Sequence, residues 1–235
     1  MKRHLLSLAL LLPLPVFAQD CVILLHGLAR SAASLDKIEQ ALKPRYKTVN
    51  VDYPSTQHNI QSLAQQYIPP AVKQCRGSEK IHFVTHSMGG LLLRQHLSNN
   101  KIRPLGRAVM LGPPNKGSHV VDKLKSLTAY EAINGPAGME MGTQDGDAPQ
   151  QLPIANFELG IIAGTRSVNP ILSILLPNPD DGKVSLEHTK LEGMQDHISL
   201  PVTHTFMMNN EAVIEQVLWF LRKGEFKRVD ADRSA

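Results

Sequence analysis

Residues 81–97 read Ile81-His82-Phe83-Val84-Thr85-His86-Ser87-Met88-Gly89-Gly90-Leu91-Leu92-Leu93-Arg94-Gln95-His96-Leu97. Residues 81–84 carry a strand signal and 91–97 a helix signal, so Thr85 to Gly90 turn the chain directly from one into the other. A serine in such a turn stands with its Oγ raised, provided little bulk lies two residues to either side. Gly89 and Gly90 meet that need on the helix side. The helix start also aims backbone N–H groups and a partial positive charge at any anion formed there. Thr85 departs from the pattern Gly-x-Ser-x-Gly, because a β-branched residue takes the first small position. A serine that merely caps a helix after a buried strand is the plainer reading of the same residues.

Strand and helix signals alternate on both sides of this turn, which predicts a parallel sheet with crossover helices. Residues 22–25 are a continuous apolar run ending in His26-Gly27, as in a strand covered on both faces. Leu35, Ile38 and Leu42 follow at helical spacing, and 46–53 read as a second strand. Ile60, Leu63, Ala64, Tyr67 and Ile68 form a helical stripe that Pro69-Pro70 should kink or end. Strands are expected at 107–111, 159–163 and 198–202. A last helix over 211–222 has Gly224 as its stop. Residues 115–156 show little regular pattern and read as an inserted cap or lid. There, Val120, Val121, Leu124 and Leu127 either cover a site or pack the core.

The 235 residues suit one domain, with 42% hydrophobic and 20% charged side chains excluding a disordered chain. Lys2 and Arg3 precede an apolar run over 5–17, and Val16-Phe17-Ala18 offers a cleavage site after Ala18. This is the layout of a signal peptide over 1–18, with 19–235 as the mature chain. A membrane anchor is the alternative, but the run is short of the roughly 20 residues a span needs, and Pro13 and Pro15 interrupt it. Cys21 lacks a lipobox-like approach. Lys2 and Arg3 supply two of the four net positive charges, so the mature chain has no nucleic-acid footprint. Cys21 and Cys75 are either one disulfide or two buried thiols. No metal or cofactor is expected, since Cys-x-x-Cys spacing and phosphate or dinucleotide fingerprints are absent.

His26-Gly27-Leu28, Thr85 to Gly90, and Gly112-Pro113-Pro114-Asn115-Lys116-Gly117-Ser118 together resemble the α/β-hydrolase family, notably small bacterial lipases and esterases. The last stretch is similar to the lipase sequence Thr-Pro-Asn-x-Gly-Ser. The resemblance extends over nearly the whole mature chain in element order. It implies an α/β class, the α/β-hydrolase fold, with a mostly parallel sheet flanked by helices and a small cap or lid at 115–156. It also implies a Ser–Asp–His triad in that chain order.

Ser87 is then the expected nucleophile, with the Leu28 and Met88 amides as its oxyanion hole. The acid falls in Asn178-Pro179-Asp180-Asp181-Gly182-Lys183-Val184; Asp181 is preferred because lipases often place the acid before glycine, and Asp180 is held in reserve. Without the resemblance, Asp-Asp-Gly reads as a solvated turn. His204 is the expected base, lying between the sixth strand and the last helix. His197 precedes that strand, about 15 Å or more from Ser87 by strand rise, and His188 is a weaker rival. His86 is expected to shape the turn. In the family the first and third strands are parallel neighbours, which puts Cys21 and Cys75 at one edge and makes a disulfide sterically open.

The function implied is an exported serine hydrolase of carboxylic esters, periplasmic or secreted, taking a small-molecule or lipid ester and touching a membrane surface transiently. Acyl transfer or thioester hydrolysis on envelope lipids, and a non-catalytic binding or lipase-assisting protein of the same fold, are the alternatives.

Overall fold

The computed structural model describes residues 18–168, 173, 174, 176, 177 and 179–228. The stretch 1–17, read above as most of an export signal, lies outside them, as does Asn178. Six strands, β1 (Cys21–Leu25), β2 (Lys47–Val51), β3 (Ile81–His86), β4 (Leu105–Leu111), β5 (Leu159–Gly164) and β6 (Asp196–Leu200), form one sheet. Their order is β2-β1-β3-β4-β5-β6 and every neighbouring pair is parallel. Helices α1 (Asp36–Leu42), α2 (Ile60–Gln74) and α3 (Met88–Asn99) connect the first four strands; α4 (His119–Leu124), α5 (Thr128–Met139) and α6 (Ala148–Gln151) lie between β4 and β5. The one-turn α7 (Leu186–Thr189) precedes β6, and α8 (Glu211–Lys223) is the last helix among the described residues.

The alternation of side chains along a strand divides the core into two layers. Cys21, Ile23 and Leu25 of β1 pack with Leu63 and Ile68 of α2 and Leu91 of α3. Val22 and Leu24 face the other way, toward Ile38 of α1 and Val213, Val217 and Phe220 of α8. Strands β1, β3 and β5 are buried along their whole length; β1 and β5 read as apolar runs, while β3 also buries His82, Thr85 and His86.

Three expectations are corrected. Helix α2 runs on through Pro69 and Pro70 to Gln74. Both prolines are exposed, as are Gln65 and Gln66, whose carbonyls lose their helical donors and can turn to water instead. Apolar packing of Ile68 and Ala71 on the inner face holds the helix together. Strand β6 sits two residues earlier than 198–202 because Pro201 offers no N–H to continue the ladder. Residues 115–156 contain three helices rather than irregular chain. Their period is obscured in sequence because α5 breaks at Gly135, whose φ of 63° joins two segments across a kink.

A buried guanidinium ties this insertion to α3. Arg94 of α3 donates to the carbonyls of Asn115 at 3.0 Å, Pro149 at 3.3 Å, Leu152 at 2.7 Å and Pro153 at 3.2 Å. Burial among carbonyls lowers its pKa to about 10, so it remains a cation at neutral pH. Inside the insertion, Asp122 accepts from the Thr143 amide and hydroxyl, and Lys125 reaches Asp147 at 3.1 Å.

Cys21 and Cys75 form a disulfide with a Cα–Cα distance of 5.7 Å, joining the start of β1 to the residue after α2. It links positions 54 residues apart. Replacing both by alanine is therefore expected to lower the unfolding free energy by about 4 kcal/mol, the loop-closure value. A urea titration checks this, and an unchanged midpoint contradicts it. Arg94→Met should cost about 3 kcal/mol by stranding buried carbonyls. In limited proteolysis the variant's first new cuts should fall in 115–156; cuts starting elsewhere would oppose the tie.

Candidate active site

The site grows from a strained residue. Ser87, between β3 and α3, has φ 52° and ψ −121°, a conformation that a non-glycine residue holds only when its surroundings over-determine it. Its amide donates to the Leu111 carbonyl at 2.8 Å, and its carbonyl accepts from Gly90 at 3.0 Å. A Cβ on Gly89 would run into the carbonyl oxygens of Leu25 and His26, so only glycine lets α3 approach β1 this closely. A Cβ on Gly90 would crowd Met110 Sδ at 3.1 Å and Pro113 Cβ at 3.2 Å, with Thr85 Oγ1 next at 3.4 Å. That hydroxyl is buried and has no hydrogen-bond partner among the described residues.

Ser87 Oγ lies 3.0 Å from His204 Nε2, and His204 Nδ1 lies 2.7 Å from Asp181 Oδ2. All three residues are buried, with Ser87 9% exposed. The other oxygen of Asp181 accepts from the Lys183 and Val184 amides at 3.0 and 2.8 Å, and the Asp181 carbonyl accepts from the His204 amide at 3.0 Å. The carboxylate is thus aimed by its own loop. Gly112, at the end of β4 with φ 53°, leaves the room: a Cβ there would sit 3.0 Å from Asp181 Oδ2 and 3.1 Å from His204 Nδ1.

Asp180 faces elsewhere, accepting from Ser173 Oγ at 2.8 Å and the Gly182 amide at 2.7 Å. His188 bonds the Gly117 carbonyl at 3.0 Å and His197, inside β6 rather than before it, meets Thr189 Oγ1 at 3.0 Å. Neither rival touches Asp181. His86 lies behind the relay, its Nε2–H donating to the His204 carbonyl at 3.0 Å. Burial, then the neighbouring His204, pushes its pKa well below the usual value, so it stays neutral.

His26 does not reach Ser87. Its Nδ1–H donates to the Gly27 carbonyl at 2.9 Å, its Nε2 accepts from the Tyr53 amide at 3.3 Å, and its ring stacks on Tyr53 at 3.8 Å. This pair, joined by a bond from the Tyr53 hydroxyl to the His26 carbonyl, fixes the loop that presents Leu28. The Leu28 and Met88 amides have no acceptor among the described residues. His82 and His86 stand at His-x-x-x-His spacing, which sequence reading missed; because β3 is extended, they are about 13 Å apart and cannot share a metal as they would on a helix. No metal-binding cluster is found among the described residues.

A cavity of about 260 Å³ opens onto Ser87 and His204. One wall is apolar, from Val120, Val121 and Leu124 of α4, Tyr130 of α5 and Met141. Leu127, expected to join that wall, is 54% exposed and outside the lining. Burial raises the Tyr130 phenol to about 12. Arg30 and Lys183 also line the cavity. Both side chains also reach solvent at the cavity's rim; desolvation, and then the charge of Arg30, lower the Lys183 pKa, with Asp181 opposing. Sequence reading missed both cations, although each stands two residues after a residue it had singled out.

No family model matches the chain. Over 131 residues, 51% of its length, it is 30% identical to a Xenopus laevis protein named lysosomal thioesterase PPT2-B. The match covers 45% of that protein, so the chain spans under half of this curated relative. Among solved structures, Bacillus licheniformis lipase BlEst2 in mature form superposes with a TM-score of 0.69 at 18% identity, covering 91% of this chain and 95% of that one. Phospholipase PlaB from Legionella pneumophila gives 0.66 at 16% identity over 87% of this chain and 59% of that one. The metagenomic carboxyl esterase MGS0156 gives 0.64 at 17% identity over 83% and 68%. The chain has the α/β-hydrolase fold. Within that fold, the point after β3 where α3 begins is also where the cavity lies.

Besides His86, the histidines His26, His82, His96, His188 and His197 all have pKa values lowered from 6.5, with burial the leading cause in each. Below about pH 6.5 the unfolded chain gains protons that the folded chain refuses, so stability is present above this pH and is lost as pH falls. The urea midpoint should fall between pH 7 and pH 5, before carboxylates titrate. A flat midpoint across that interval would contradict the buried neutral assignments.

Proposed function

We propose that the chain is an exported serine hydrolase that cleaves carboxylic esters, with lipid acyl esters as its substrate class. The observation that carries this reading is the relay from Ser87 through His204 to Asp181, at 3.0 and 2.7 Å, facing an apolar-walled cavity. Ser87 Oγ attacks the ester carbonyl while His204 takes its proton, and Asp181 holds the ring and stabilises the imidazolium. The Leu28 and Met88 amides receive the tetrahedral oxyanion. His204 then returns its proton to the leaving alcohol. Water repeats the sequence on the acyl-enzyme, releasing the acid and restoring Ser87. None of these steps requires a cofactor.

The 30% identity to a thioesterase supports a second reading, hydrolysis of acyl thioesters by the same relay. Export to the periplasm or beyond is supported by the Cys21–Cys75 disulfide, since such bonds persist in oxidising compartments. Residues 1–18 supply the signal peptide, 19–235 the hydrolase domain and 115–156 its cap. Contact with a lipid surface is supported by Leu127, Ile133 and Phe206, which are 54%, 67% and 58% exposed and close in sequence to cavity-lining residues.

Hydrolysis of p-nitrophenyl esters from acetate to palmitate by the mature protein tests this reading. Ser87→Ala should lower kcat by about 10⁶-fold, and Asp181→Asn by about 10⁴-fold. Ester hydrolysis that survives Ser87→Ala, or none by the wild-type protein, would overturn it. In the latter case, transfer of acyl groups to added alcohols would point to an acyltransferase, and its absence to a binding protein.

A further inference from the structure

The cavity over Ser87 has both apolar and cationic lining, Leu28 and Val184 standing beside the two cations in sequence. Its apolar wall comes from the insertion, through Val120, Val121, Leu124 and Met141, and suits an acyl chain. Its two cations come from the loops after β1 and β5, as Arg30 and Lys183. No carboxylate pairs with either among the described residues, and no acidic side chain lines the cavity with them. The nearest acid in the sequence, Asp181, has its oxygens committed to His204 and to two backbone amides.

We propose that Arg30 and Lys183 form a subsite for an anionic group on the leaving side of the substrate, so that the preferred acyl donor has a phosphate or carboxylate close to the scissile ester. Two like charges brought into one cavity repel each other, and a bound anion relieves that repulsion and gains charge-assisted hydrogen bonds. Their mutual influence is already felt in the lowered Lys183 pKa, and both add to the positive surroundings of His86. With the acyl chain on the apolar residues of 120–141, the proposal assigns the cations to the alcohol or thiol. The Lys183 backbone amide, not its side chain, bonds Asp181, so a side-chain change leaves that bond in place.

This inference rests on the proposed ester hydrolysis, and its test separates the two. The mature protein is assayed on two matched pairs with one acyl chain: monooctanoylglycerol against octanoyl lysophosphatidic acid, and the octanoyl thioesters of mercaptoethanol against mercaptoacetate. Arg30→Gln and Lys183→Gln run alongside. In at least one pair the wild type should favour the anionic member in kcat/KM, and each variant should reduce that anionic-over-neutral ratio about tenfold, mainly through KM. Where the neutral members of both pairs are turned over, which pair responds distinguishes phosphate from carboxylate. Added salt should narrow the preference. Turnover of the neutral members with no anionic preference, or a preference that both variants keep, overturns the subsite and leaves ester hydrolysis standing. Failure on every member, together with the p-nitrophenyl esters, removes the underlying reading as well.

Discussion

A serine held at φ 52° is costly, and the rest of the sheet is arranged to hold it. Three neighbours enforce the turn: the Leu111 carbonyl on β4 captures the Ser87 amide, Gly89 lets α3 press against β1, and Gly90 lets it approach Met110 of β4. Each depends on the order β1-β3-β4 in a parallel sheet. If that order changed, the hydroxyl would lose both its elevation and its position relative to His204. The strain is therefore local in place but global in support.

The Asp181–His204 pair shows the same economy. Its carboxylate is oriented by amides of its own loop, its histidine by the Asp181 carbonyl and by His86 from behind. The insertion over the cavity is fixed separately, through the carbonyls gathered by Arg94. Since Arg94 lies on the helix that begins right after Ser87, one element carries both the Ser87 turn and the clasp on residues 115–153.

Much of this was legible in sequence where a signal was local. The buried strands stood out as apolar runs, and the strand–turn–helix at 81–97 located Ser87. Choosing Asp181 over Asp180 and His204 over His188 relied on resemblance, because the three-dimensional reason is the direction each side chain takes from its loop. Gly112 could be read only as a turn residue, although its missing side chain makes room for the pair. The passage of α2 through Pro69-Pro70 was hidden because tertiary packing on the opposite face outweighed two lost hydrogen bonds. Arg30 and Lys183 carry no periodicity, and only folding brings their loops to one cavity.

The central claim is that Ser87 is the activated nucleophile, and a fluorophosphonate reports on it most directly, since it reacts with a serine only when a base deprotonates it. Intact-mass measurement followed by peptide mapping of the mature protein should find one adduct, on Ser87, formed far more slowly once His204 is replaced by alanine. A folded protein that takes no label, or takes it on another residue, would contradict the account.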